Sequence, residues 1–308
     1  MINPILASSA RRRMRSIKTP IVITLYGALI LALGLMMAFN VFARPTVSIY
    51  VMQQGVQAYA GMLAIQFAMI LLIAPAMTAG CIAGERERQT LDMLLVTNTG
   101  ALRIVAGKLL ESLGYMALLL VAAMPSMCLA LVTGGVTLTD ILVGELFLLV
   151  TAFATLSVGV FASAIFRRTV SATVVSYLMV FFIGIVTMVP SVISLLYIGS
   201  NYDMLLASSS YYSGGILVST GSAFNFNGFI FSPVMGLMSL IADQTGLMKS
   251  TLMSLSYTMY SIYDYMNFDV IKWENMAFMA GMGLALDLLA ACFVRPREAR
   301  IRRRRAKK

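Results

Sequence analysis

Six stretches of this chain are apolar for long enough to cross a membrane. A hydrocarbon layer of ~30 Å takes about 20 residues of helix. Ile21–Ala43, Tyr59–Ala83, Ile104–Val132, Ile141–Phe166, Val170–Ile198 and Met276–Val294 meet or approach that length. The pattern predicts an all-α polytopic membrane protein with six transmembrane helices. Two polar interruptions stand out, because their own patterning is not that of plain connecting loops.

The first follows the second span, in the run Gly84-Glu85-Arg86-Glu87-Arg88-Gln89-Thr90-Leu91-Asp92-Met93-Leu94-Leu95-Val96-Thr97. Its entry is densely charged. Leu91, Leu94 and Leu95 then recur at i, i+3 and i+4, so a helix over Glu85 to Thr97 carries one apolar ridge with Asp92 and the Arg/Glu cluster beside it. Such a helix is suited to docking against something in water. A solvated loop is the simpler alternative, but short loops rarely combine alternating charge with a leucine ridge.

The second interruption is the long segment Gly199 to Lys272, with apolar patches at Phe229–Ile241 and Leu252–Met266. Asn225 and Asn227 precede the first patch and Pro233 breaks it, while the second is short and carries Asp264. Re-entrant or interfacial helices between spans five and six fit both patches better than full crossings. Trp273 is expected to mark the outer interface at the start of the last span.

At the N-terminus, Asn3 can cap a helix with Pro4 in its first position. Ile2, Ile5, Leu6, Ala10, Met14 and Ile17 then share one side, with Arg11, Arg15 and Lys18 opposite. This pattern predicts an interfacial helix over residues 1–20, lying on the membrane surface until Pro20 turns the chain into the first span. Simple basic flanking sequence is the alternative. Residues 21–294 form one membrane domain and 295–308 a basic tail.

Composition agrees: 59% of the 308 residues are apolar, 12% are charged, and mean hydropathy is +0.86. That excludes an ordinary soluble domain. The charges also orient the chain. With six spans, 20 of the 23 Lys and Arg fall on one side, leaving Arg44, Lys249 and Lys272 on the other. Basic residues mark the cytoplasmic face, so both termini are expected inside. The net charge of +10 does not point to nucleic acid, because no aromatic stacking platform accompanies it. The tail from Arg295 to Lys308 suits anionic lipid headgroups instead.

Cys81, Cys128 and Cys292 lie in or beside apolar runs and read as small core residues, not a disulfide framework. No cleavable signal is expected, since the first apolar run is about twice the length of a signal peptide's core. There is no histidine, which removes imidazole relays and His-ligated zinc. Gly100 and Gly107-Lys108 lack phosphate-loop spacing, and no Ser or Thr follows Lys108. Ionisable residues within spans are few. Glu111 is expected to pair locally with Lys108, Glu145 to reach water near the outer boundary, and Asp287 to make a buried interhelical hydrogen bond; each is a candidate intramembrane polar site. Gly159 with Ser163, and Gly281 with Ala285, allow close helix approach.

Taken together, Gly84-Glu85-Arg86-Glu87, Thr90-Leu91-Asp92, Leu94-Leu95 and Ile104-Val105-Ala106-Gly107-Lys108-Leu109 resemble the coupling region of bacterial ABC-2 type transporter permeases. Asn3-Pro4 and Ser16-Ile17-Lys18-Thr19-Pro20 resemble that family's N-terminal connecting helix. The family often has Gly where Gln89 stands and Pro where Asn98 stands. The resemblance implies a multi-pass permease of the bacterial inner membrane, most readily an exporter, with no cofactor of its own. A separate cytoplasmic ABC ATPase subunit binds ATP and Mg and receives the coupling helix through Glu85, Arg86, Glu87, Arg88, Thr90, Leu91, Asp92, Leu94 and Leu95. A second permease subunit, identical or not, completes the pathway. An ATP-independent transporter or channel, a membrane enzyme and a non-transporting sensor or scaffold are the alternatives. The first needs paired midplane charges that the chain nearly lacks, and the second a catalytic constellation that is missing.

Overall fold

The computed structural model describes residues 18–42, 48–89, 101–132, 135–189, 193, 230–245 and 268–294. Among them the regular structure is helical throughout, without a strand. The helices are α1 (Lys18–Phe42), α2 (Ser48–Thr78), α3 (Ala83–Glu87), α4 (Ala101–Val132), α5 (Leu138–Ile165), α6 (Thr169–Val186), α7 (Pro233–Thr245) and α8 (Phe268–Val294). The N-terminal interfacial helix, the patch Leu252–Met266 and the tail 295–308 lie outside the described residues.

Five helical stretches have the length and composition to cross a membrane: Gln54–Glu87, Ala101–Val132, Leu138–Ile165, Thr169–Val186 and Asp269–Val294. The apolar part of α1, Pro20–Met36, is shorter. Several expected boundaries move. α2 begins well before Tyr59 and α8 before Met276, because a helix continues past its apolar stretch wherever caps or polar partners satisfy the extra turns. α5 starts at Leu138 because Thr137 and Asp140 form a capping box: Thr137 Oγ1 accepts the Asp140 N–H, and the Asp140 carboxylate accepts the Thr137 N–H at 2.9 Å. Pro20 lies at the start of the first span. It sits in the first turn of α1, where its missing N–H costs nothing.

The chain divides into two compact units, Met1–Phe181 with Met279–Lys308, and Phe182–Phe278. In the first, α2 and α5 make the most extensive helix pair, with α1 and α4 packed beside them. α5 is the most buried span. Its sequence explains why, since Ala152, Ala154, Ser157, Gly159, Ala162, Ser163 and Ala164 bring neighbouring backbones close. Thr151 and Thr155 donate to carbonyls of their own helix, so their hydroxyls sit in an apolar bundle without penalty. Outward-facing Leu25, Phe39, Val121, Val170, Val174 and Leu178 are largely exposed, which suits a lipid-facing surface.

In the second unit, α7 packs on residues 268–278 of α8. The patch Phe229–Ile241 is interrupted at Pro233, with turn backbone over residues 230–232 before it and helix after it. Pro233 is the first residue of α7, where proline is favoured, and Ser232 precedes it as a cap whose Oγ lies 3.4 Å from the Met235 N–H. Thirteen residues of helix measure about 20 Å, too short to cross. Gly236 lets Asn275 approach so closely that a Cβ there would lie 2.2 Å from its Oδ1. Asn275 Nδ2 thereby donates to the carbonyls of Ile230 (2.8 Å) and Ser232 (3.0 Å). Lys272, expected in an external loop, is instead a largely buried helical residue paired with Asp243 and with Asp269 (2.8 Å).

Candidate functional site

The charged segment begins where α2 gives out. α2 ends at Thr78, a turn follows over Ala79 to Ile82, and the short helix α3 carries Glu85, Arg86 and Glu87. A five-residue helix has almost no stability of its own, so its neighbours must hold it. The hydroxyl oxygen of Ser163, on α5, accepts two backbone N–H groups, from Ile82 at 2.9 Å and Ala83 at 2.8 Å. Four residues earlier on the same face, Gly159 lets Thr78 lie against the α5 backbone; a Cβ on Gly159 would fall 2.0 Å from Thr78 Oγ1.

Two further contacts hold α3. Glu85 pairs with Lys108 of α4 at 2.7 Å. The Glu87 carboxylate accepts both the backbone N–H (3.2 Å) and the hydroxyl (2.8 Å) of Thr169, the first residue of α6. A carboxylate there also meets the positive end of the α6 dipole.

The expected single helix from Glu85 to Thr97 does not form as such. α3 stops at Glu87, Arg88 is its C-terminal cap, and Gln89 takes φ 58°, in the left-handed region. A residue there ends a helix and is most cheaply glycine. Thr90, Leu91, Asp92, Leu94 and Leu95, and with them the leucine ridge, lie outside the described residues.

The intramembrane acids are placed as follows. Glu145 does not reach water: it is 5% exposed, enclosed in the α2–α5 packing, with the fully buried Gln66 of α2 beside its carboxyl. Close by, Tyr59 donates to the Asp140 carbonyl at 2.9 Å, and Gly144 leaves the room for its ring hydroxyl. Asp287 accepts a hydrogen bond from Ser157 of α5 at 3.1 Å, and the bare backbone of Gly283 nearby accommodates Phe153. Glu111 is half-buried on α4, one turn beyond the Lys108 that pairs with Glu85. Gly281 has open space around it, so it serves no close approach within the described chain. The three cysteines are free, but Cys128 and Cys292 face outward and are not core residues. Among the described residues, no cluster of acidic or cysteine side chains has the grouping of a metal site.

Gln66, Glu87 with Thr169, and Asn275 are contacts that sequence reasoning missed. A lone glutamine inside the apolar run Gly61–Ile73 was a legible signal, because a primary amide at that depth needs a polar neighbour. Nothing local marks Thr169 or Asn275.

The family model described as ABC-2 family transporter protein matches residues 5–295. No curated protein matches the chain.

Proposed function

The chain belongs to the ABC-2 family of transporter proteins, and from that premise we propose that it is the permease subunit of an ATP-driven exporter whose ATPase is a separate chain. As a member of that family it is a multi-pass component of membrane transport. In this reading α1 completes a set of six spans, both termini face the cytoplasm of a bacterium across its inner membrane, and α7 is one of the re-entrant helices on the outer side. Two permease subunits enclose the pathway, and ATP and Mg are held by the ATPase.

The observation that carries the reading is the charged segment beginning at Glu85. It sits at an end of the bundle rich in basic residues, it continues into the leucine ridge Leu91, Leu94 and Leu95, and it is anchored by α3 to three neighbouring helices. A segment that receives force from a partner in water needs such footing. ATP binding draws two nucleotide-binding subunits together, the docked segments move with them, and the membrane halves change the side to which they open. The permease forms the path and transmits the work.

Leu94→Asp tests the reading. A ridge residue seated in a partner's groove would place an unpaired carboxylate in an apolar contact, at a cost of several kcal/mol. The chain is purified from its native membranes together with the ATP-hydrolysing subunit it retains. Leu94→Asp is expected to insert normally and lose that subunit, while Arg86→Glu, at the rim of the contact, has a milder effect. Retention of the ATPase at wild-type level by Leu94→Asp refutes the assignment of the segment.

A further inference from the structure

The short helix α3 lacks a cap of its own. Its N-cap position is Ile82, which has no side-chain oxygen to offer. The first N–H groups of a helix need acceptors, and here the acceptor arrives from another element. Ser163 Oγ takes the N–H groups of Ile82 and Ala83 together, in a fully buried setting where no water replaces it. At its other end α3 returns the arrangement, as Glu87 caps the first residue of α6, and the methyl of Thr169 packs 3.3 Å from where a Cβ on Gly84 would stand. α3 is therefore capped by α5, caps α6 in turn, and is tied to α4 through Glu85 and Lys108.

The backbone alone would make a poor lever here. Between Thr78 and Ala83 the chain is a turn, and bending in that turn would absorb a push on the segment before it reached the spans. We propose that Ser163 is the positioning residue that fastens the start of the charged segment to α5, so that displacement of the segment is passed through its hydroxyl to the end of α5, and along the short connection Phe166–Arg168 to the start of α6, instead of being lost in the turn Ala79–Ile82. This rests on the reading of the segment as the ATPase contact.

The test is hydrogen–deuterium exchange on the permease purified with its ATP-hydrolysing subunit, with and without ATP plus vanadate. In the wild type, nucleotide is expected to change exchange at residues 82–89 and at residues 164–175. Ser163→Ala is expected to retain the ATPase and the change at residues 82–89, while the nucleotide-dependent difference at residues 164–175 falls at least fivefold. A merely structural role would raise exchange at both places equally with and without nucleotide and leave the difference intact, which overturns the proposal. Ser176→Ala is the matched control, since that buried hydroxyl donates within α6, to the Thr173 carbonyl; its nucleotide response should equal the wild type. Should Ser163→Ala fail to reach the membrane, Ser163→Cys keeps the shape of the side chain and puts a weak acceptor in place of the hydroxyl; it should at least halve the response at residues 164–175, and an unchanged response overturns the proposal. Loss of the ATPase from Ser163→Ala would make the hydroxyl part of docking and also overturns it. If no ATP-hydrolysing chain accompanies even the wild type, the coupling reading itself fails first, a result distinct from all of these.

Discussion

Gly159→Ala is a one-methyl test of how closely α2 and α5 approach. The added Cβ would lie 2.0 Å from Thr78 Oγ1 and 3.1 Å from its Cβ, where ordinary contact needs about 3.5 Å. Two responses are open to the protein. Thr78 can rotate and give up its hydrogen bond to the Ala74 carbonyl, 3.0 Å long, at about 1 kcal/mol. Alternatively the helices can separate, an overpacking strain of about 1–3 kcal/mol. Replacing glycine by alanine inside a helix offsets about 1 kcal/mol of this. The clash wins if relief draws on both responses, leaving a net loss of about 1–3 kcal/mol.

The assay is unfolding in detergent, followed by helical circular dichroism. Gly281→Ala provides the internal control: among the described residues nothing lies within 4 Å of its new Cβ, so only the propensity gain remains and stability should hold or rise. Thr78→Ala removes the atom that clashes. The double variant Gly159→Ala with Thr78→Ala should therefore recover stability relative to the sum of the singles, with a coupling of about 1 kcal/mol or more. If Gly159→Ala is as stable as Gly281→Ala, the two backbones do not approach as described, and the placement of Ser163 against Ile82 and Ala83 fails with them.

Two further substitutions probe separate parts of the molecule. Gln89→Gly removes the left-handed strain at the end of α3 and should stabilise that end by about 1 kcal/mol, seen as roughly fivefold slower amide exchange at Arg88; faster exchange would show that Gln89 is not left-handed. Asn275→Ala takes away the donors to the Ile230 and Ser232 carbonyls at about 1–3 kcal/mol, so amides of α7 such as Leu237 and Leu240 should exchange at least about fivefold faster. Unchanged exchange in α7 would mean that Asn275 does not hold it.

The sequence alone determined that this chain lives in a membrane, roughly where its spans lie, and where the charged segment with its leucine ridge interrupts them. Those properties are one-dimensional, because the thickness of the hydrocarbon layer fixes the length of an apolar run and the water on either side collects the charge. The small residues at Gly159 and Ser163 were legible as places of close approach, but not what would approach them. A span apolar on every side carries no periodic signal saying which face is inward. Rotation and depth are settled by packing against helices some 80 positions away in sequence, as between Ser163 and Ile82 or Glu87 and Thr169. The same reason explains the misplacement of Glu145, which sequence position put at the boundary and which packing against α2 enclosed beside Gln66. The break at Gln89 was also hidden, since leucine spacing projects a helix onward whatever the backbone does at one residue. Only the tertiary structure shows that α3 borrows its cap from α5, because the donors and the acceptor of that cap belong to different helices.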